Sequence, residues 1–550
     1  MAAPASTILI RANAVHCQDP SQDPSYTCKS VFIRGSRIEA ISPSATGLDS
    51  LIIPQQTRVI DEPTATVLPT FDDTHTHLVF AAGAVSDVPV ADCSDLASIL
   101  SRIRERASTT PKREWIQTAA NWQEFNIAEQ RLPSRAELDS CSTEHPILVK
   151  RGGHNMVLNT LGLEMASIQE GVPVPRGGYV EHEKGLVQDT ACTSVFAALP
   201  ATSLDKKLES YRLATRDYAA KGIGAVRDCF VPIDELANLQ KAYEAGALNT
   251  RVRVLVSAVG ERDLDSVLDR MEPWRKAPWK DHPFLRVWGV KFMIDGGIET
   301  AATSRPYNNP ETHLCTCVDG VQQDFKGLLL MDKETALAQM EKVLLRGWKV
   351  GTHAYGDRGV EFYLDLCEEL LRRHPGLPKG SLVMEHGGLA DAVQRRRAVR
   401  MGIPVTVQSS FLYNLGGVQP YRWGGDVFKD AMPVREWIDE GAVVSAGSDY
   451  PVGDYGARLS MWTLSTRDTV AGVQGPEHAV SLEEAVDLHV GRAAAFLGES
   501  QDRSSIAVGK LADLAIWRDD PFTATAKPDK ETLTTLYTII DGKVVYESSL

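Results

Sequence analysis

The sequence predicts an α/β protein whose centre is a TIM-type (β/α)8 barrel. Apolar runs typical of buried strands, such as "RVRVLVSAVG" and "IPVTVQSS", alternate with patterns typical of helices, such as "DKETALAQMEKVLLRG". Repeated β–α units in this number favour a closed parallel barrel. The 550 residues are enough for such a barrel with accessory segments.

The two ends of the chain have a different pattern. Residues 1–68 contain short alternating strands with turns, and residues 505–550 end in the hairpin "LYTIIDGKVVYES". Because β segments at opposite ends of a chain can pair, we expect them to form one small β-sandwich domain. Residues 69–504 would then form the barrel. Segment 85–180 follows the first barrel strand as a long Trp-bearing insertion, and we expect it to cap the barrel mouth.

Composition and charge narrow the class of protein. Hydrophobic residues make up 43% of the chain and charged residues 24%, as in soluble globular proteins. The formal net charge of −14 disfavours non-specific binding to nucleic acids, which needs a cationic surface. The first residues lack the basic and apolar regions of a signal peptide, and no apolar run is long enough to cross a membrane. Nine cysteines without framework spacing fit reduced thiols. We therefore expect a cytoplasmic protein that does not bind membranes.

Polar, metal-competent side chains stand at the ends of several predicted strands: His75, His77, Lys291, His353, His386 and Asp449. Barrel enzymes build their active sites at the carboxyl ends of the strands. Residues two apart on a strand face the same side, so His75 and His77 can both point to the barrel axis and bind one ion. Imidazole and carboxylate ligands suit zinc and related divalent metals. The ordered set predicts a divalent metal site.

Each of these residues, when taken alone, can also be explained by a structural role without metal binding. A single histidine is more often a satisfied polar group than a ligand, which applies to His353 and His386. Asp449 lies in "GSDYP", whose residues all favour turns, and Lys291 fits a solvated strand end. The metal site is favoured by the ordered combination, with each residue following an apolar strand.

The same residues lie in motifs that resemble the amidohydrolase superfamily. The resemblance is closest to its YtcJ-like branch (amidohydrolase family 3), which includes enzymes resembling N-substituted formamide deformylase. It runs over nearly the whole chain, through "FDDTHTHL", "HPILVKRGGHNMVLNTLGL", "VKFMIDGGIETAATSRPY", "VGTHAYGDRGV", "VMEHGGL", "VVSAGSDYPVGDYG" and "SIAVGKLADLAIW" in this order. Some positions depart from the family pattern. Thr70 and Asp72 stand where a glycine and an aliphatic residue are usual, and Ser409-Ser410 stands where a proline is common.

The resemblance implies a metal-loaded barrel with a small β-sandwich built from both termini. It assigns to the metal site His75, His77, Lys291, His353, His386 and Asp449. Lys291 would be a bridging or liganding lysine, carboxylated by CO2 to a carbamate with two anionic oxygens. Zinc is the expected ion, and the sequence leaves one or two ions open.

The mechanism expected from this set is metal-assisted hydrolysis of an amide or formamide-type C–N bond. A bound metal lowers the pKa of water towards about 7 and so supplies a nucleophile at neutral pH. Asp449 would accept a proton from that water and deliver one to the leaving nitrogen. His353 and His386 would help to polarise the substrate carbonyl.

Substrate contacts are predicted from residues near the same motifs. His154, in the inserted segment, is expected to contact the substrate, and Asp295 lies two pleats beyond Lys291 on the same face of its strand. Trp122 in "NWQEF" and Arg358 after "HAYGD" complete the predicted pocket, although an indole at that spacing is more often in a core.

Two other functions stay open at this stage. The same site would serve a decarboxylase or another lyase or isomerase, with Arg227 or Arg305 holding a substrate carboxylate. A non-catalytic barrel protein would be expected to lack a ligand or the base, and this chain keeps all of them. The expected partner is a small molecule rather than a nucleic acid, and a homodimer is the default assembly for such a barrel.

Overall fold

The computed structural model describes nine ranges of the chain: residues 6–17, 28–153, 155–174, 178–189, 191–259, 263–310, 325–503, 505–522 and 535–549. Among the predicted site residues, His154 lies outside the described residues. In these ranges, no helix is both long and apolar enough to span a membrane.

Eight parallel strands form the central sheet, and their order in space follows their order in the chain. Numbered as barrel strands one to eight, they are Phe71–Thr76, Ile223–Val231, Arg251–Ser257, Leu285–Met293, Lys349–Ala354, Leu382–His386, Val405–Gln408 and Val444–Gly447. The sheet closes between the first and eighth strands, where the Asp449 amide donates to the His75 carbonyl at 2.7 Å. Thr74 Oγ1 also donates to the Ala446 carbonyl at 2.9 Å. The predicted TIM-type barrel is confirmed.

The barrel strands are apolar because neither of their faces meets water. Every residue of the third strand, "RVRVLVS", is buried, as is every residue of the sixth, "LVMEH". Parallel strands covered by helices read as nearly continuous Val, Ile and Leu runs, and β-branched side chains fit their pleated surface. A charged residue inside such a run therefore needs a partner within the protein.

Helices follow the later barrel strands: Glu235–Glu244, Leu264–Met271, Lys333–Leu345, Asp357–Arg373, Ala392–Met401, Ser409–Tyr413, Val418–Trp423, Gly425–Phe428, Val434–Asp439, Ala457–Thr466, Leu482–His489 and Gly491–Leu497. The helix Asp357–Arg373 shows the general pattern, since Val360, Leu364 and Cys367 repeat every three or four residues and are fully buried. A capping box at Asp391 begins the helix Ala392–Met401.

The segment between the first and second barrel strands forms a separate five-stranded sheet with its own helices. Its strands, in spatial order, are Ile116–Gln117, Ile147–Arg151, Asn155–Leu158, Leu186–Asp189 and Gly178–Glu181. Helices Leu96–Thr109, Arg135–Asp139, Thr160–Met165 and Cys192–Ala198 accompany this sheet, while Leu78–Gly83 and Leu204–Ala220, from the same segment, pack in the barrel core. A core that includes Ile99, Trp122 and Val149 packs within this segment.

Strands from both ends of the chain join one seven-stranded sheet. In spatial order they are Lys543–Glu547, Thr535–Ile540, Leu514–Trp517, Thr57–Pro69, Thr7–Val15, Cys28–Arg34 and Arg37–Ser42. The predicted pairing of the two termini is therefore present, while its description as a two-layer sandwich stays a prediction. Only Thr70 separates this sheet from the first barrel strand. The last sheet of the described residues has two strands of two residues each, Asp468–Thr469 and Gly472–Val473.

Buried ion pairs join the segment that leads into the strand Leu514–Trp517 to the amino end of the barrel. Arg251 Nε lies 2.7 Å from Asp513 Oδ2, and Arg253 Nη2 lies 3.1 Å from Glu499 Oε2. Arg503 contacts Asp513 at 3.1 Å and also pairs with Asp72 on the first barrel strand. These pairs account for the charged residue at position 72, where an aliphatic residue is usual in the family that the sequence resembles.

Candidate metal centre

A cavity of about 1410 Å³ opens at the carboxyl ends of the barrel strands. The six predicted metal-site residues all line this cavity: His75, His77, Lys291, His353, His386 and Asp449. They come from barrel strands one, four, five and six, from the position directly after strand one in the case of His77, and from the turn after strand eight. The (β/α)8 topology thus gathers side chains that lie up to 374 positions apart in the sequence.

The His-x-His pair and Asp449 form one side of the cluster. His77 Nε2 lies 2.7 Å from Asp449 Oδ1, and His75 Nε2 lies 3.5 Å from the same oxygen. Asp449 has a positive φ of 56° in the turn after strand eight. Although burial opposes ionisation, the neighbouring His75 and His77 hold the pKa of Asp449 well below its usual range. Asp449 is therefore a carboxylate at neutral pH.

His353 and His386 form the other side, with ring centroids 4.4 Å apart. His386 Nδ1 lies 2.6 Å from Gln408 Oε1, and His353 Nε2 lies 3.0 Å from the Gly296 carbonyl. Both partners accept hydrogen bonds, so these nitrogens carry the protons, which leaves His386 Nε2 and His353 Nδ1 with free lone pairs. Burial and the nearby Lys291 lower the pKa of His353 to about 3, which keeps the ring neutral.

Lys291 stands on the fourth barrel strand and is 2% exposed. Burial lowers the pKa of its amine, while the carboxylates of Glu385 and Asp449 act in the opposite direction. A buried lysine whose charge acts on His75, His353 and His386 needs a partner that offsets the cost of burying that charge.

Glu385 is a part of the centre that the sequence reasoning missed. His75 Nδ1 lies 2.7 Å from Glu385 Oε2, and Thr406 Oγ1 donates to the same oxygen at 3.0 Å. Arg227 forms an ion pair with the other carboxylate oxygen. Because Nδ1 of His75 donates to Glu385, its Nε2 keeps the lone pair that faces the cluster. The signal was a single acidic residue inside the otherwise apolar strand "LVMEH".

The donor set fits a divalent metal ion. One ligand atom from each of His75, His386 and Asp449 lies within 4.8 Å of the other two, and all three residues are buried. His77 Nδ1 is buried and has no hydrogen-bond partner among the described residues. Converging imidazole nitrogens and a carboxylate oxygen are ligands typical of zinc and similar ions.

The model of the amidohydrolase family matches residues 58–546 of the chain. The chain belongs to the amidohydrolase family. A curated relative, the N-substituted formamide deformylase of Arthrobacter pascens, is 26% identical over 542 residues, which cover 94% of this chain and 95% of that one. YtcJ of Bacillus subtilis (strain 168) is 26% identical over 499 residues, 88% of this chain and 90% of that one.

Solved structures share the fold of this amidohydrolase. An uncharacterized metal-dependent hydrolase from Pyrococcus horikoshii OT3 superposes with a TM-score of 0.72 at 18% identity. The superposition covers 94% of this chain and 99% of that one. The recognised family and the barrel architecture are thus both confirmed, and the relatives are hydrolases.

Three residues predicted to contact the substrate do not line the cavity and bond to other parts of the protein: Asp295, Trp122 and Arg358. Asp295 is fully buried and accepts hydrogen bonds from the amides of Ala302, Tyr355 and Gly356 at 2.9–3.0 Å, so it holds loops together behind His353. Burial raises the pKa of Asp295 to about 7. Its carboxylate lies 3.5 Å from His353 Nε2, which makes its influence on the centre indirect.

Trp122 and Arg358 lie away from the lining of the cavity. The Trp122 indole packs in the core of the inserted segment and donates Nε1–H to the Lys150 carbonyl at 2.7 Å. Arg358 donates to the Gly327 carbonyl at 3.1 Å. Sequence spacing placed both residues near the site, but it could not show that their side chains point towards other neighbours.

The two arginines expected to hold a substrate carboxylate are also engaged elsewhere. Arg227 is fully buried and pairs with Glu385 beneath His75. The exposed Arg305 pairs with the exposed Asp426 at 2.9 Å. Neither residue lines the cavity.

Proposed function

We propose that this amidohydrolase is a metal-dependent enzyme that hydrolyses the C–N bond of a small amide or formamide-type molecule. The observation that carries the proposal is the convergence of His75, His386 and Asp449 within 4.8 Å on the floor of a large cavity. The relatives named as an N-substituted formamide deformylase and as YtcJ support this class of substrate.

In this proposal the metal is held by residues that the barrel brings to one end: His75, His77, Lys291, His353, His386 and Asp449. One or two zinc ions suit the number and type of these ligands. When bound, the metal supplies Lewis-acid chemistry that makes water a nucleophile near neutral pH. The hydrogen bond from His75 to Glu385 orients that ring before any ion arrives.

Asp449 acts as the proton shuttle. As a carboxylate it accepts a proton from the attacking water and then returns it to the nitrogen that leaves, so that no net proton is consumed at this residue. His353 and His386 lie on the opposite side of the cluster, where their free lone pairs would hold the metal beside the carbonyl oxygen that develops charge.

We propose further that CO2 carboxylates Lys291. The amine nitrogen bonds to the carbon of CO2 and releases one proton, which leaves an anionic carbamate. This proposal is supported by the burial of Lys291 among imidazoles, where a carbamate would attract metal ions that an ammonium group repels. Intact-mass measurement under CO2, with Lys291→Arg as the control, tests it.

The inserted segment 85–180 is proposed to cap the barrel mouth, since Trp115, Lys150 and Arg151 from this segment line the cavity. Residues 1–68 and 505–550 are proposed to form a sandwich domain beside the barrel at 69–504. A cytoplasmic location and a homodimer remain predictions from the sequence. Light scattering tests the assembly.

Decarboxylation on the same metal barrel is the second candidate. Its proposed carboxylate anchors are occupied, because Arg227 pairs with Glu385 and Arg305 pairs with Asp426 at the surface. Hydrolysis therefore has the better support.

The deciding experiment measures metal content and product release together. Zinc-loaded protein is supplied with a panel of amides, formamides and small carboxylic acids, and release of amine or ammonia is compared with release of CO2. Amine release that stops on chelation and returns with zinc supports the proposal. Release of CO2 alone would replace hydrolysis by the second candidate.

A further inference from the structure

The cavity wall beyond the metal-site residues is rich in apolar side chains that remain open to solvent. Five large ones are between 39% and 52% exposed: Phe80, Val85, Phe196, Leu213 and Val259. Apolar surface in water is unfavourable, and a contiguous apolar surface in a cleft is typical of a site for an apolar ligand.

This apolar surface begins directly beside the metal centre. The ring centroid of Phe80 lies 5.8 Å from that of His77 and 6.0 Å from that of Phe230. His77 and Phe230 are 6.3 Å apart. The three rings thus form one aromatic surface, and a group that rests on it is close enough to be covalently attached to the reacting bond.

The charged groups of the wall that are buried or half-buried already have partners. Lys150 Nζ lies 2.5 Å from Asp87 Oδ2, and Arg151 Nη1 lies 2.6 Å from Glu299 Oε1. Ion pairs that are already formed offer little attraction to a charged substituent, which would also lose its hydration on entry.

Other charged residues of the lining are exposed, including Arg113, Glu114 and Lys206. Water screens their charges, and they are of both signs. The wall therefore favours a neutral group over a cation or an anion.

The size of the cavity points in the same direction. An amide group of three heavy atoms fills a volume on the order of 100 Å³, taking about 30 Å³ for each atom of the size of water. The cavity holds about 1410 Å³. The cavity therefore has room for a substituent much larger than the reacting group.

We propose that the substrate is an amide in which one side of the C–N bond carries a bulky, neutral, apolar group. This group lies against Phe80 and Phe230 and extends towards Phe196 and Leu213. The inference rests on the proposed function for the reacting bond, while the site for the apolar group is argued from the cavity wall alone.

The test measures kcat/KM of the zinc-loaded enzyme on N-alkylformamides and on N-alkanoyl methylamines of increasing chain length. The two series place the apolar group on the nitrogen side or on the acyl side. In one of them kcat/KM should rise by up to about four-fold for each methylene that becomes buried. A substituent of equal length that ends in an ammonium or carboxylate group should lose this gain.

Two variants locate the group. Phe80→Ala should lower the ratio of kcat/KM for the hexyl over the methyl substrate by about ten-fold, because an aromatic contact next to His77 is lost. Leu213→Ala should lower the same ratio by a smaller factor and only for the longest chains. The matched control is Leu345→Ala, since Leu345 is 66% exposed and lies outside the cavity lining.

A binding measurement separates this inference from the proposed function. Straight-chain alcohols have no C–N bond, and their dissociation constants should fall steadily from propanol to hexanol in the native protein and much less in Phe80→Ala. If the alcohols behave so and no amide is hydrolysed, the apolar site stands and the hydrolase proposal is wrong. If kcat/KM for the amides and the dissociation constants of the alcohols do not change with chain length, the apolar site is wrong while the hydrolase proposal stands.

Discussion

The two ends of the barrel both bury charged groups, but they arrange them in opposite ways. At the amino end, Arg251, Arg253 and Arg503 each meet acidic partners and form a closed network with the terminal sheet. At the carboxyl end, the side chains of His75 and Asp449 converge on an open cavity. Both ends contain perturbed pKa values, and only one has the shape of a reaction site.

This difference shows which property marks a functional site in a fold rich in buried charge. Burial and altered pKa values occur in structural ion-pair networks as well as in active sites. What distinguishes the carboxyl end is a set of ligand atoms from His75, His386 and Asp449 that converge beside an open cavity. The predictions below separate the two ends by measuring activity, metal binding and stability in the same variants.

The largest expected effect is on turnover at the carboxyl end. Asp449→Asn should lower kcat by about 10²–10⁴-fold because the amide cannot accept a proton from water. His75→Ala should lose activity and also bind less zinc. Steady-state kinetics with elemental analysis checks both, and a fully active Asp449→Asn enzyme would disprove the shuttle.

At the amino end we expect a loss of stability without a loss of metal. Arg251→Met removes a buried partner of Asp513, and the free energy of unfolding should fall by about 3 kcal/mol. Urea unfolding measures this change, while the zinc dissociation constant should stay the same. Lys342→Met, which breaks an exposed pair with Asp265, is the control and should cost less than about 1 kcal/mol. Weaker zinc binding in Arg251→Met would mean that the two ends are coupled.

Glu385 combines the features of the two ends. It forms a buried ion pair with Arg227, as the amino-end residues do, and it orients His75 of the metal centre. Glu385→Gln should weaken zinc binding by about 10–100-fold, as loss of a carboxylate behind a histidine ligand does. Equilibrium dialysis gives this value independently of turnover. Glu368→Gln, on the surface beside Arg397, provides the control. Unchanged zinc affinity in Glu385→Gln would leave Glu385 with a structural role only.

The smallest expected effect is the pH dependence of the amino-end network. Although burial opposes it, Arg253 and Arg503 hold the pKa of Glu499 well below its usual range. A lowered folded pKa stabilises the protein above the unfolded pKa of about 4.3, and the stabilisation is lost as the pH falls below it. The unfolding free energy of metal-free protein should exceed that of Glu499→Gln at pH 7, by about 1–3 kcal/mol, and this gap should narrow at pH 3.5. A constant gap would contradict the assignment.

Local patterns were sufficient to predict the barrel and to predict that the six polar strand-end residues meet at one cavity, while their role as metal ligands stays a prediction. Each of those residues follows an apolar strand, and parallel topology brings such positions to one end. The role of Glu385 depends on contacts across the barrel with His75 and Arg227, which lie 310 and 158 positions away, so no local pattern reveals it. The prediction for Trp122 failed to account for the direction of the side chain, which the core of the inserted segment determines.

The single residue between the terminal sheet and the first barrel strand has a consequence for how the protein is made. Thr57–Pro69 continues through Thr70 into the strand of His75, and Leu514 pairs with Pro69. A ribosome that has synthesised 500 residues has therefore completed every metal-site side chain but not Leu514–Trp517, which pairs with the strand that leads into the first barrel strand. Pairing across such a long sequence separation carries a high loop-closure cost and is slow. The centre is consequently expected to mature only after Leu514–Trp517 has been synthesised and has paired.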